Sequence, residues 1–150
     1  MTDALIIIDM QHGAFGDGPP KHDAAGLIGR LNELADTVRA RGGAVVFIQH
    51  DGLPGDPFHP DQPGWKLVED LGPHPADTVI RKKSCDAFLE TPLEEFLRSR
   101  AIDRLIITGW ATDYCVDTTA QRAGSRLSHS RALRRPYRSQ PAPPAGREDH

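Results

Sequence analysis

The sequence predicts an α/β fold built on a parallel sheet, and three observations predict it. Ala4 to Ile8, Ala44 to Gln49 and Leu105 to Ile107 are short apolar runs without polar alternation, as strands covered on both faces require. An amphipathic stretch separates the first two, so strand, helix and strand follow one another within 50 residues, the pattern of a βαβ unit. Chemically active side chains stand where these runs stop: Asp9 after the first, Lys82 and Lys83 after a third strand, and Cys115 after the turn at Gly109. In open α/β sheets, that carboxyl edge is where ligands bind.

Taken in order, the first strand ends at Asp9, whose plainer reading is an aspartate capping the next loop. Residues 10 to 20 form a Gly- and Pro-rich loop, in which Gln11 and Phe15 either line a pocket or pack it closed. From about Ala24 to Arg41, Leu27, Ile28, Leu31, Leu34, Ala35 and Val38 mark one helix face, ended by Gly42-Gly43. The second strand follows, and then a long loop from His50 to Trp65 carrying four prolines and three glycines. A loop of this length without structure of its own is expected to act as a lid or specificity loop. Its His50, Asp51, His59 and Asp61 match no zinc spacing, so no metal site is expected. Residues 78 to 81 make a third strand leading to Lys82-Lys83, one of which is a candidate buried cation, while Cys85 is read as packing. Thr91-Pro92-Leu93-Glu94 has the form of a capping box opening a short helix with Leu93, Phe96 and Leu97 inward.

The segment from Arg104 to Val116 is the centre of the reading. A strand runs into Gly109, and Thr112 and Asp113 are N-cap candidates for a helix whose apolar positions are Val116, Ala120 and Ala123. Cys115 then sits in the first helical turn, where unpaired N–H groups favour the thiolate over a thiol of pKa about 8.5. The commoner fate of such a thiol is burial as packing, but a packing cysteine has no need of the glycine turn and polar pair before it. A nucleophilic thiol needs a base, a cation and oxyanion donors. Asp9, a lysine and the amides near Ala111 and Cys115 supply these in turn.

Composition bounds the alternatives. The chain has 150 residues, 38% hydrophobic and 26% charged, with a formal net charge of −3, enough for one domain with a core. Residues 126 to 150 hold six Arg against Glu148 and Asp149, so the remainder is acidic and no nucleic-acid partner is expected. Two cysteines, no run of about 20 apolar residues and no signal-peptide pattern point to a cytoplasmic protein without a membrane partner. The absence of a Gly-x-Gly-x-x-Gly or Walker-type loop argues against a flavodoxin-like nucleotide-binding module.

The chain resembles the isochorismatase-like cysteine hydrolases, the group that includes nicotinamidase and N-carbamoylsarcosine amidohydrolase. The resemblance rests on Leu5-Ile6-Ile7-Ile8-Asp9-Met10-Gln11, on Val79-Ile80 with Lys82 and Ala87-Phe88, on Thr91-Pro92-Leu93, and on Thr108-Gly109-Trp110-Ala111-Thr112-Asp113-Tyr114-Cys115-Val116. It implies a three-layer, doubly wound, Rossmann-like sheet of strand order 3-2-1-4-5-6. It implies Asp9 as base, Lys82 rather than Lys83 as the cation, Cys115 as nucleophile, and the amides of Ala111 and Cys115 as the oxyanion hole, shaped by a cis peptide between Trp110 and Ala111. Lys82 would have to reach Asp9 from a strand further off. The expected activity is cofactor-free cleavage of an amide or carbamoyl C–N bond of a small molecule through a thioester, in an enzyme that oligomerises as relatives do. Gln11, Phe15, Trp65, Trp110 and Tyr114 are the candidate substrate-binding residues.

Two departures qualify this. Gln49-His50-Asp51-Gly52 stands where nicotinamidases carry a metal-binding Asp-x-His, which argues against nicotinamide. After Ala123 the family's strand-helix-strand pattern gives way to a tail rich in Arg, Ser and Pro, as a shifted reading frame or a disordered extension would produce. The expected division is an incomplete domain over 1–124 and a disordered tail over 125–150. Strands 5 and 6 would be missing and strand 104–108 would lie exposed at an edge. The alternative function is therefore an inactive, truncated member that persists as an oligomer or binding protein.

Overall fold

The computed structural model describes residues 2–14, 24–109, 119 and 131–134. Five strands form one parallel sheet: β1 (Asp3–Ile8), β2 (Ala44–His50), β3 (Thr78–Lys82), β4 (Arg104–Gly109) and β5 (Arg131–Arg134). Their spatial order is β3-β2-β1-β4-β5, so the chain winds outward from β1 in both directions. Helix α1 (Ala24–Ala40) crosses from β1 to β2, and the shorter α2 (Leu93–Ser99) crosses from β3 to β4.

The absence of polar alternation in the strands is explained by two cores. Ile6, Ile8, Val46, Ile48, Ile80, Leu105 and Ile107 face one way and meet Leu93 and Leu97 of α2 with Ala87 and Phe88. Leu5, Ile7, Val45, Phe47 and Ile106 face the other way, against Leu27, Leu31, Ala35 and Val38 of α1. Both faces are thus covered and the architecture is three-layered.

Three expectations change. The tail was expected to contribute no strand, yet Arg131–Arg134 pairs in parallel with β4, Arg104 opposite Arg131 and Ile107 opposite Arg134. Strand β4 is therefore an interior strand. An unpaired ladder of N–H and C=O groups is satisfied by any extended backbone, and Arg-Ala-Leu-Arg carries no apolar run by which to foresee it. Second, Cys85 is exposed and does not pack. Third, Thr91 lies one residue outside the α2 cap: its hydroxyl donates to the Ala87 carbonyl, while Glu94 pairs with Arg98 one turn on at 3.0 Å.

The long connection after β2 is ordered by its own hydrogen bonds. The amides of Asp56, His59, Gln62 and Trp65 donate in turn to the carbonyls of Leu53, Asp56, His59 and Gln62, so the segment climbs in successive tight turns. It is pinned to the segment after β1 where two glycines meet: a Cβ on Gly64 would lie 3.0 Å from the Gly13 Cα and 2.5 Å from the Pro57 carbonyl oxygen. Among the described residues, no helix is long and apolar enough to cross a membrane.

Candidate active site

The register fixes where the carboxyl edge puts its chemistry. Ile8 pairs with Ile48 on one side and Gly109 on the other, and His50 pairs with Lys82 one strand further out. Gly109, at φ 135°, is pressed against β1; a Cβ there would come within 2.1 Å of the Ile8 carbonyl oxygen. Only glycine allows this approach. The chain that goes on to Cys115 therefore leaves the sheet beside the residue preceding Asp9.

Asp9 itself occupies the left-handed region at φ 56°, a conformation that costs a non-glycine residue about 1–3 kcal/mol. The turn is held by its amide, which donates to the Ile48 carbonyl at 3.0 Å, and by its carbonyl, which accepts from the Gln11 amide at 2.8 Å. Lys82 reaches across β2 to meet the Asp9 carboxylate, with Nζ 3.2 Å from Oδ1 and side-chain exposures of 0% for Lys82 and 9% for Asp9. Lys83, its neighbour, is exposed. Among the described residues Asp9 Oδ1 receives no hydrogen bond although it is buried, so the ammonium meets it at ion-pair distance only. A buried carboxylate oxygen with spare acceptor capacity suits proton transfer.

The lysine head group is surrounded by more than the aspartate. Nζ donates to the Ser84 carbonyl oxygen at 2.9 Å and lies 3.3 Å from His50 Nδ1. Burial, and then the positive charge of Lys82, hold the His50 pKa below the usual histidine value against the opposing pull of Asp9, Asp56 and Asp51. His50 is accordingly neutral near pH 7. The Ser84 turn is fixed in its turn by Thr119, whose fully buried hydroxyl accepts from the Ala87 amide at 3.1 Å and donates to the Cys85 carbonyl at 3.4 Å.

Gln11 is wholly buried, and its amide is spent on backbone: Nε2 donates to the carbonyls of His50 and Trp65 at 3.0 and 2.8 Å, and Oε1 accepts from the His50 amide at 2.8 Å. Of the two roles open to it, packing the loop closed describes what it does. Trp65 is also engaged. Its carbonyl accepts from Gln49 Nε2 at 2.9 Å, its indole N–H donates to Asp51 Oδ1 at 2.8 Å, and the Arg81 guanidinium lies 5.2 Å from its ring centre. Burial pushes the Asp51 carboxyl up, but hydrogen bonds from Arg81 and Trp65 and the nearby charges of Arg81 and Lys83 bring it below the carboxylate range.

Asp9 and Lys82 are thus brought together, and Gln11 and Trp65 brace the loop beside them. Phe15, Trp110, Ala111, Tyr114, Cys115 and the Trp110–Ala111 bond lie outside the described residues. The acidic and histidine side chains of the long loop are divided among separate partners: Asp51 with Arg81, and His59 with Asp61 at 2.7 Å. Ser84 and Thr119 escaped the sequence reading, and His50 entered it only as a weighed metal ligand. His50 carried a signal, since it ends a strand at the same rim as Asp9; a serine carbonyl and a helical threonine carry none.

The isochorismatase-domain family model matches residues 3–126. A streptothricin hydrolase from Streptomyces noursei is 33% identical over 120 residues, which make up 80% of this chain and 48% of that protein. Ureidoacrylate amidohydrolase RutB from Enterobacter sp. (strain 638) is 32% identical across 77% of this chain and 66% of its own length. The crystal structure of N-carbamoylsarcosine amidase from Thermoplasma acidophilum superposes with a TM-score of 0.79 at 25% identity, covering 89% of this chain and 81% of that one. The chain spans about half the length of the streptothricin hydrolases it matches, 48% of one and 44% of the other.

Proposed function

The chain belongs to the isochorismatase family, and from that premise we propose that it is a cysteine hydrolase cleaving the C–N bond of a small amide or carbamoyl compound. The observation that carries the reading is the buried Asp9–Lys82 pair at the rim where β1 and β4 end side by side. In the proposed reaction, Asp9 takes the proton of the Cys115 thiol and the thiolate attacks the substrate carbonyl carbon. The oxygen becomes an oxyanion held by the amides of Ala111 and Cys115. Asp9 returns the proton to the departing nitrogen, the C–N bond breaks, and a thioester is left on Cys115. Water, deprotonated by Asp9, then attacks the thioester, releases the acid and restores the thiol. Lys82 holds its positive charge 3.2 Å from Asp9 Oδ1 and stabilises negative charge as it forms. Apart from substrate and water, every proposed step uses side chains and amides of this chain.

Two relatives support C–N chemistry by their names, one an amidohydrolase and one an amidase. The substrate pocket is assigned to Phe15, Trp65, Trp110 and Tyr114, whose aromatic faces suit a small molecule with an apolar portion. The alternative, an inactive truncated member that persists as an oligomer or binding protein, predicts no turnover by either protein in the assay that follows. The test is a panel of small amides, lactams and carbamoyl compounds given to wild type and Cys115→Ala. Turnover by wild type alone is expected, together with a Cys115 thiol pKa well below about 8.5; equal turnover by both proteins overturns the reading.

A further inference from the structure

The hydrolase reading gives Lys82 a task but leaves open what keeps its head group in place. The side chain starts on β3, two strands from β1, and must cross the end of β2 to reach Asp9. A four-carbon stem of this kind has many rotamers, and only acceptors at fixed positions select one of them. Ser84 supplies one, through its carbonyl. We propose that His50 is a positioning residue, its imidazole Nδ1 accepting a hydrogen bond from Lys82 Nζ and holding the ammonium against Asp9.

Three observations build this assignment, which rests on the Asp9–Lys82–Cys115 reading of the site. An ammonium has donors only, so the 3.3 Å contact requires an unprotonated Nδ1, with the ring proton on Nε2. His50 is itself anchored: Gln11 bonds its backbone amide and carbonyl, and the Phe58 ring stands edge-on to the imidazole at 6.1 Å and 74°. Finally, His50 and Lys82 are register partners on adjacent parallel strands, so the contact is set by the sheet and not by loop geometry. Gln11, buried and without a free polar group for a substrate, acquires a reason: it fixes the residue that fixes the lysine.

The groups facing the imidazole are Lys82 from β3, Asp9 from the end of β1, and Asp51 and Asp56 from the loop after β2. Protonating Nδ1 would remove the acceptor and turn a positive ring toward the ammonium. Activity should therefore show an acid-side step that belongs to His50 and lies below the ordinary histidine value of about 6.5.

Two variants separate positioning from simple packing. His50→Ala removes the acceptor, and His50→Asn keeps one, since asparagine Oδ1 stands one bond from Cγ as Nδ1 does, but cannot titrate. On a turned-over amide, His50→Ala should lower kcat about 10- to 100-fold with a smaller change in KM, the size of effect that follows misplacing a catalytic group by about 1 Å. His50→Asn should recover most of that loss and lack the His50 step in its pH profile. Equal losses in both variants, or an unchanged acid limb in His50→Asn, overturn the proposal. Nitrogen-15 NMR of the imidazole reads the contact without turnover: the Nε2–H tautomer is expected, with a titration midpoint that rises in Lys82→Met. An Nδ1–H tautomer, or a midpoint unmoved by Lys82→Met, refutes it. Failure of every amide to turn over would instead count against the hydrolase reading, and the NMR result would still decide the His50–Lys82 contact.

Discussion

Asp9 combines a strained backbone with a buried carboxylate whose Oδ1 lacks a hydrogen bond among the described residues. Sites that keep such features despite their cost are where function is found. Asp9→Asn preserves size and removes the proposed base, so kcat is expected to fall about 10²- to 10⁴-fold while circular dichroism stays unchanged. His50 gives a second prediction at this scale, in stability. Folding lowers its pKa, so between the unfolded value of about 6.5 and the lower folded value the unfolded chain binds more protons. The stabilisation is complete above about pH 6.5 and is lost as pH falls through the folded value. Thermal melts of wild type should fall over that window, and those of His50→Asn should fall less. Asp9, Gln11 and the lysine pair were legible as rim residues from the strand pattern alone. The role of Gln11 was not, because an amide beside a strand end reads the same whether it faces a ligand or two backbone strands.

At the scale of elements, the site is made by junctions. Gly109 lets β4 close on β1, and Gly109→Ala would drive a Cβ into the Ile8 carbonyl at a φ that side chains avoid. A loss of more than about 3 kcal/mol in denaturant unfolding is expected, because the clash and the backbone strain add. Gln11 joins β1, β2 and the turn at Trp65, and Gln11→Ala removes the side-chain partner of the His50 amide and carbonyl and leaves the Trp65 carbonyl to Gln49 alone. Hydrogen exchange should quicken at the His50 amide and through residues 51–65, while the α1 amides keep their protection. The strands and α1 were read within a residue or two, since a buried run and a 3.6-residue period are local properties. The order within the 50–65 loop was not local: it depends on Gly13 meeting Gly64 across the chain and on Trp65 receiving two glutamine side chains.

For the whole molecule, the decisive feature is the fifth strand. Removing residues 131–150 would return β4 to an edge and leave its outer ladder of N–H and C=O groups unpaired. The shortened protein is expected to associate or precipitate where the full chain does not, as light scattering at matched concentration would reveal. The opposite end of the fold is tied by Arg39 of α1 to Asp77 just before β3, where a nearly buried carboxylate receives Nε at 3.0 Å and Nη2 as well. Asp77→Ala is expected to cost about 1.5–3 kcal/mol, as for hydrogen bonds to charged groups, without changing kcat on any substrate found.

By itself the sequence determined the parallel α/β class, the first helix and the rim at which Asp9 and a lysine stand. Those follow from hydrophobic period and from where each run stops, and both are written along the chain. Only the tertiary structure decided that Lys82 spans two strands to Asp9, that His50 and Ser84 flank its ammonium, and that Arg131–Arg134 completes the sheet. The physical reason is the same in each case. Register pairing and side-chain reach bring together groups distant in sequence, and backbone hydrogen bonding accepts a strand whatever its side chains, so neither leaves a periodic mark on the residues that take part.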